Sequence, residues 1–96
     1  MERKSWTVEV DGSPHTVVLD WTYYGGRREV RVDDRLAHKS RVPMRWRSEQ
    51  RFQIADHPAV VRTKPARALS PRFVISLDVD GKPVTPDPGS SRWEAP

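Results

Sequence analysis

The sequence predicts an all-β protein, an antiparallel β-sandwich of about seven to eight strands that is poor in helix. Several short segments place apolar residues at every second position, which is typical of half-buried strands. Turn-forming residues separate these segments at a spacing of roughly ten residues. No stretch shows the i, i+3, i+4, i+7 apolar pattern of an amphipathic helix. Because each strand has one apolar face, two sheets are expected to pack together.

The first part of the chain contains three predicted strands. They cover Trp6–Val10, His15–Trp21 and Arg28–Val32. Asp11-Gly12 ends the first strand, Asp33-Asp34 ends the third, and Gly25-Gly26 supplies a reversal between the second and the third, since glycine readily adopts positive φ. The stretch Leu36–Ser40 has no clear alternation, and it is the only stretch where one helical turn would be unsurprising.

The second part contains four further predicted strands. They cover Val42–Arg47, Arg51–Ala55, Ala59–Thr63 and Arg72–Val79. Pro43 cannot donate a ladder hydrogen bond, so the first of these strands is expected at a sheet edge. Ser48–Gln50 is predicted as a turn, Lys64–Pro71 as a longer loop, and Asp80–Lys82 as the turn that closes the last strand.

A chain of 96 residues is expected to form one domain. The alternating pattern places this domain at residues 5–85. Residues 86–96 have too few apolar side chains to offset an ordering cost of about 1–2 kcal/mol per residue. They are predicted to form a flexible C-terminal tail, with Trp93 either solvated or packed on the domain.

Composition limits the chemistry of the protein. The absence of cysteine excludes disulfides, thiolate zinc sites and cysteine nucleophiles. The net charge of +4 permits contact with nucleic acid, but it is also common in small proteins that are merely soluble. The charged start carries no apolar stretch that fits a signal peptide or a membrane span, so a cytoplasmic protein without membrane association is expected.

The ordered set of these segments resembles the Fas apoptotic inhibitory molecule family over about Ser5 to Pro83. The segments that carry the resemblance are Trp6–Val10 with Asp11-Gly12, His15 with Val17 and Leu19, Gly26–Asp33, Trp46, Phe52–Ile54 and Leu77–Lys82. The resemblance implies an antiparallel sandwich of roughly eight strands without a catalytic site. Animal members look like two such domains in tandem and are associated with restraining death-receptor signalling and with protection against protein aggregation. This chain has one copy, Asp34 where the family usually shows glycine, and many arginines.

Acidic residues recur at the predicted corners of the sandwich, and two interpretations apply to them. A calcium or magnesium site would need Asp11, Asp33, Asp34 and Asp80 to converge on one ion. Each corner offers only one or two carboxylates, whereas Asp-Gly is typical of tight hairpin turns. The sequence therefore predicts turns, with no metal and no cofactor.

The three histidines, His15, His38 and His57, do not form a recognisable catalytic motif. The sequence contains no Gly-x-Ser-x-Gly, no His-Glu-x-x-His and no glycine-rich phosphate loop. Asp56 and His57 are neighbours, but adjacent side chains of an extended chain point to opposite faces. An approach of Asp20 to a histidine across strands stays open. The prediction is a protein that is not an enzyme and has no catalytic residues.

A basic stretch is the candidate contact surface. Its members are Arg41, Arg45, Arg47 and Arg51. Arg41, Arg45 and Arg47 would line the wet face of one strand if Met44 and Trp46 point inward, and Arg51 could join them across the turn. Acidic residues could neutralise part of that face. The predicted function is protein binding in an accessory or proteostasis role, with nucleic-acid or polyanion binding as the alternative. An extended peptide from a client or from a second copy could add to a strand edge, and arginine or Pro43 could equally protect such an edge.

Overall fold

Two antiparallel sheets make up the protein. A computed structural model describes residues 2–22, 26–41, 47–68, 70–89 and 94–95, and these form eight strands and no helix. Sheet A contains, in this spatial order, β1 (Glu2–Val10), β2 (Ser13–Trp21), β3 (Arg27–Val32) and β4 (Arg35–Arg41). Sheet B contains, in this spatial order, β5 (Ser48–Ile54), β6 (His57–Pro65), β7 (Phe73–Val79) and β8 (Lys82–Val84). The predicted all-β antiparallel fold is confirmed.

One apolar core lies between the two sheets. Sheet A contributes the inward side chains of Trp6, Val10, Val17, Leu19, Trp21 and Val30. Sheet B contributes those of Phe52, Ile54, Ala59, Val61, Phe73, Ile75, Leu77 and Val79. The rings of Trp21 and Phe73 meet across the sandwich with centroids 5.8 Å apart and planes at 79°, the edge-to-face geometry that aromatic pairs prefer. This contact joins the two sheets.

Four tight turns close the hairpins within the sheets. Their central residues are Asp11-Gly12, Asp33-Asp34, Ala55-Asp56 and Asp80-Gly81, and both φ angles of each pair are positive, between 48° and 79°. Positive φ at both central positions is the signature of type I′ turns, whose twist matches that of the flanking strands. The interpretation of the acidic corners as hairpin turns is therefore confirmed, and two of the four turns, Asp33-Asp34 and Ala55-Asp56, are built without glycine.

The structure corrects four local predictions. β6 continues to Pro65, so Lys64 and Pro65 belong to a strand and not to the predicted loop Lys64–Pro71. Leu36–Ser40 lies in strand β4 and is not a helical turn, because the Asp33-Asp34 hairpin returns the chain antiparallel to β3. Ser48–Gln50 begins β5 and is not a turn; its inward residue, Gln50, is polar and hides the alternation. Lys82 starts the short strand β8, which pairs with the end of β7. Residues 42–46 of the predicted strand Val42–Arg47 lie outside the described part of the chain, and Arg47 precedes β5.

Part of the C-terminal segment contacts the sandwich. The backbone N–H of Asp87 donates to the carbonyl oxygen of Ser5 at 2.9 Å, and the Asp87 carboxylate accepts from the hydroxyls of Ser5 and Thr7 at 2.9 and 3.3 Å. Glu94 is buried and forms a parallel bridge with Phe73. Trp93 lies outside the described residues. The domain boundary at residue 85 stays a prediction.

Candidate functional site

On the outer face of sheet A, two carboxylates form ion pairs with three arginine side chains. Asp20 accepts from Arg3 at 2.7 Å and from Arg31 at 3.3 Å, while Glu29 accepts from Arg27 at 2.6 Å and from Arg31 at 2.9 Å. Both carboxylates are buried beneath these guanidinium groups. Burial opposes ionisation of Glu29, but the hydrogen bonds and charges of Arg27 and Arg31 outweigh it and hold its pKa below the usual range.

A second network lies on the outer face of sheet B. Glu49 accepts from Arg62 and from Arg51, each at 2.8 Å, and Arg62 also pairs with Asp78. Hydrogen bonds from Arg62 and then from Arg51 lower the pKa of Glu49. Glu49 and Asp78 together therefore offset the charges of Arg51 and Arg62 on this face.

The structure divides the four arginines of the predicted contact surface. Arg41 is the exposed last residue of β4 in sheet A, whereas Arg51 lies on β5 in sheet B and is paired with Glu49. Arg47 is exposed immediately before β5, and Arg45 lies outside the described residues. Within the described ranges, Arg41 and Arg47 form no ion pair. Only these two of the described members are therefore available to attract an anion.

Strand β4 is the feature that the sequence prediction missed. It is the last strand of sheet A and pairs only with β3 among the described strands. Most of its side chains are exposed. Among the described residues, Leu36 is the large hydrophobic side chain that is exposed to solvent, at 53%. The strand carries Arg35, Lys39 and Arg41 and no acidic residue. β4 is therefore a positively charged sheet edge with one large exposed apolar side chain, Leu36.

An open depression lies beside β4, where the two sheets come close. It is lined by His15, Val32, Asp33, Arg35, Leu36, Ala37, Gln53 and Ala55. Further along the strand, Gln50 Nε2 of β5 donates to Ser40 Oγ of β4 at 2.7 Å and ties the two edges together. An extended segment laid along β4 would therefore meet both cationic and apolar side chains.

Two of the histidines contact aspartates of the hairpin turns. His15 Nδ1 lies 2.7 Å from Asp33 Oδ2, and His57 Nδ1 lies 2.7 Å from Asp80 Oδ2. The other ring nitrogen of His57 lies 3.1 Å from Asp11 Oδ1, so His57 joins the β1–β2 turn of sheet A to the β7–β8 turn of sheet B. Asp20 contacts arginines and no histidine. The described residues contain no group of three or more acidic or histidine side chains arranged to hold a metal ion.

The His57 bridge predicts that stability depends on pH. Hydrogen bonds to Asp80 and Asp11 raise the pKa of His57 above its ordinary value of 6.5. The charged bridge therefore stabilises the fold below about pH 6.5 and loses this contribution as the pH rises through the raised pKa. We expect His57→Gln to lower the melting temperature most at about pH 5.5 and least at about pH 9. Circular dichroism melts measure this difference, and His38→Gln is the control; a pH-independent difference would contradict the bridge.

The family comparison agrees with this geometry. The family model described as Fas apoptotic inhibitory molecule (FAIM1) matches residues 3–86. The matched range includes β1 except for its first residue, Glu2, and it includes all of strands β2 to β8. No curated protein and no solved structure was found to match the chain. Since the match covers most of its length, the chain belongs to the Fas apoptotic inhibitory molecule (FAIM1) family.

Proposed function

We propose that this protein is a non-enzymatic interaction module that binds extended, acidic segments of other proteins along the edge of β4. The observation that carries the proposal is the combination in one edge strand of Arg35 with Lys39 and Arg41, which form no ion pair among the described residues, and the exposed Leu36. The proposal includes an accessory or proteostasis role in the cytoplasm.

The physical basis is strand addition. An edge strand presents backbone N–H and C=O groups that an extended peptide can pair with, and side-chain contacts then select the peptide. Carboxylates of an acidic segment would interact with the three cations of β4, and an apolar residue of that segment would cover Leu36. Such contacts would favour unfolded acidic clients over basic ones.

Support for a non-enzymatic role comes from the histidines. His15 and His57 both contact aspartates of the hairpin turns, where they link turns and strands. The carboxylates on the outer sheet faces are held by arginines. These groups are therefore engaged in contacts that stabilise the fold.

An aggregation assay tests the proposal. We expect the protein, at stoichiometric amounts, to delay the aggregation of reduced α-lactalbumin, an acidic client, more than that of reduced lysozyme, a basic one. The double variant Lys39→Glu/Arg41→Glu should lose the effect on α-lactalbumin, because its edge repels the client. Light scattering follows both reactions. Lys64→Glu, a single charge reversal at an exposed position of β6, is the control. No delay of either client, or full activity of the double variant, would refute the proposal.

A second candidate function is binding of single-stranded nucleic acid. Arg41 and Arg47 favour it, because both are exposed and make no ion pair among the described residues. Titration with a labelled oligonucleotide at two salt concentrations separates the candidates. A phosphate-binding surface loses affinity with salt, with a slope of about −0.7 per contact for single strands, and Arg41→Ala should reduce that slope. An affinity for the oligonucleotide that does not change with salt concentration would exclude nucleic-acid binding through these arginines.

A further inference from the structure

A second edge of the sandwich is filled by the chain itself. β8 pairs only with Leu77–Val79, so the Phe73–Ile75 part of β7 is left for another segment. Glu94 forms a parallel bridge with Phe73, and the N–H of Ala95 donates to the carbonyl oxygen of Phe73 at 2.7 Å. The N–H of Ile75 donates to Glu94 Oε2 at 3.3 Å. Glu94 and Ala95 therefore pair with this part of β7 through a single bridge.

Sheet A supplies the charge that holds this segment. Lys4 of β1 donates from Nζ to Glu94 Oε2 and, at 3.3 Å, to the carbonyl oxygen of Ile75. Lys4 is 8% exposed and Glu94 is 3% exposed, so both charges are removed from water. Lys4 Nζ also lies 5.8 Å from the centroid of the Trp6 ring. A buried ammonium group is costly without a carboxylate, so this position selects for an acidic side chain.

Among the described residues, only one of the two carboxylate oxygens of Glu94 has a hydrogen-bond partner. Its second carboxylate oxygen, Oε1, is buried and accepts no hydrogen bond within the described part of the chain. An unsatisfied buried acceptor costs free energy, so another segment with better geometry could compete with Glu94.

The anchoring of the segment allows such an exchange. Asp87 is held to β1 through Ser5 and Thr7 by three hydrogen bonds that do not involve Glu94. The contacts of Glu94 and Ala95 are therefore separate from those of Asp87. Release of the last residues would expose the slot while the chain stays fixed at Asp87.

We propose that the slot between Lys4 and the Phe73–Ile75 edge of β7 binds an extended segment of a partner protein through a glutamate of that segment, and that Glu94 occupies it in cis. Backbone pairing along β7 fixes the segment, and Lys4 selects the carboxylate. A glutamine in the bound segment would have the length of glutamate but no charge to pair with Lys4. An aspartate would have the charge, but its side chain is one methylene shorter than that of glutamate. This slot is distant in the sheet order from β4, so failure of either proposal leaves the other intact.

Fluorescence anisotropy with a labelled peptide of residues 90–96, SSRWEAP, tests the inference on the full-length chain. The wild type should bind the peptide weakly, because its own segment fills the slot. Glu94→Gln should increase the affinity by roughly tenfold or more, since the fraction of open slots rises. The same peptide with glutamine in place of glutamate should not bind, and the added change Lys4→Met should abolish binding.

A second variant separates the effect of opening the slot from the effect of losing the folded structure. Ala95→Pro removes the N–H that donates to Phe73 and loosens the segment without changing Lys4 or Glu94. It should also bind the peptide more tightly than the wild type does. Equal binding of the glutamate and glutamine peptides, or no binding to natively folded variants, would overturn the inference. A wild-type dimer that the peptide dissociates would overturn the assignment to a partner protein, because a second copy would then be the occupant.

Discussion

Replacing Trp21 with alanine is expected to lower the free energy of unfolding by about 3–5 kcal/mol. Trp21 is fully buried at 0% exposure and meets the ring of Phe73 across the core. Alanine leaves a cavity at the contact between the two sheets and removes the edge-to-face interaction. Equilibrium unfolding in urea, followed by circular dichroism, measures the loss.

Two matched variants define what the Trp21 result means. Trp21→Phe keeps an aromatic ring and should lose less than Trp21→Ala. Leu36→Ala removes a side chain that is 53% exposed and should change stability by only about 0.5 kcal/mol or less. A loss below about 1 kcal/mol for Trp21→Ala would show that this residue does not join the sheets.

The buried pair of Lys4 and Glu94 predicts the second large effect. Lys4→Met or Glu94→Gln alone should destabilise the protein by about 3 kcal/mol, because each leaves the partner charge buried without compensation. This is the low end of the range for a broken buried pair, since the C-terminal segment can leave and admit water. The double variant should lose much less than the sum of the two single losses.

A double-mutant cycle from urea unfolding measures this coupling. The pair Glu49 and Arg51 provides the control, because its side chains are 44% and 72% exposed and such a pair should couple by less than about 1 kcal/mol. Additive losses at Lys4 and Glu94 would mean that the two charges do not interact in solution.

Alternation identified the strands with one buried face. Phe73–Val79 alternates strictly, and its inward residues lie in the core. β4 escaped prediction because an edge strand with both faces exposed needs no apolar residue at every second position. The start of β5 was not predicted for a different reason. Its inward residue, Gln50, is buried but polar, and it donates a hydrogen bond to Ser40. The local sequence pattern does not show that this partner lies on another strand.

The contacts between the sheets lie beyond sequence pattern altogether. The corners at Asp11 and Asp80 were predictable as turns, but their shared contact with His57 requires the relative position of two sheets. Lys4 and Glu94 are separated by nearly the whole chain, and their segments looked like a charged start and a polar tail. The arginine surface was only partly predictable, because pairing with Glu49 removes Arg51 from it.

Strand order has a consequence for how the protein is made. Each sheet consists of strands that are consecutive in the chain and joined to their sequence neighbours. Sheet A can therefore complete its hairpins during translation, once Arg41 has left the ribosome and before all of sheet B has emerged. Pairing within each sheet needs only a local search, and docking of the finished sheets is the one step that joins distant segments. Until sheet B emerges, the nascent chain presents the apolar face of sheet A, including Trp6 and Trp21, to the solvent.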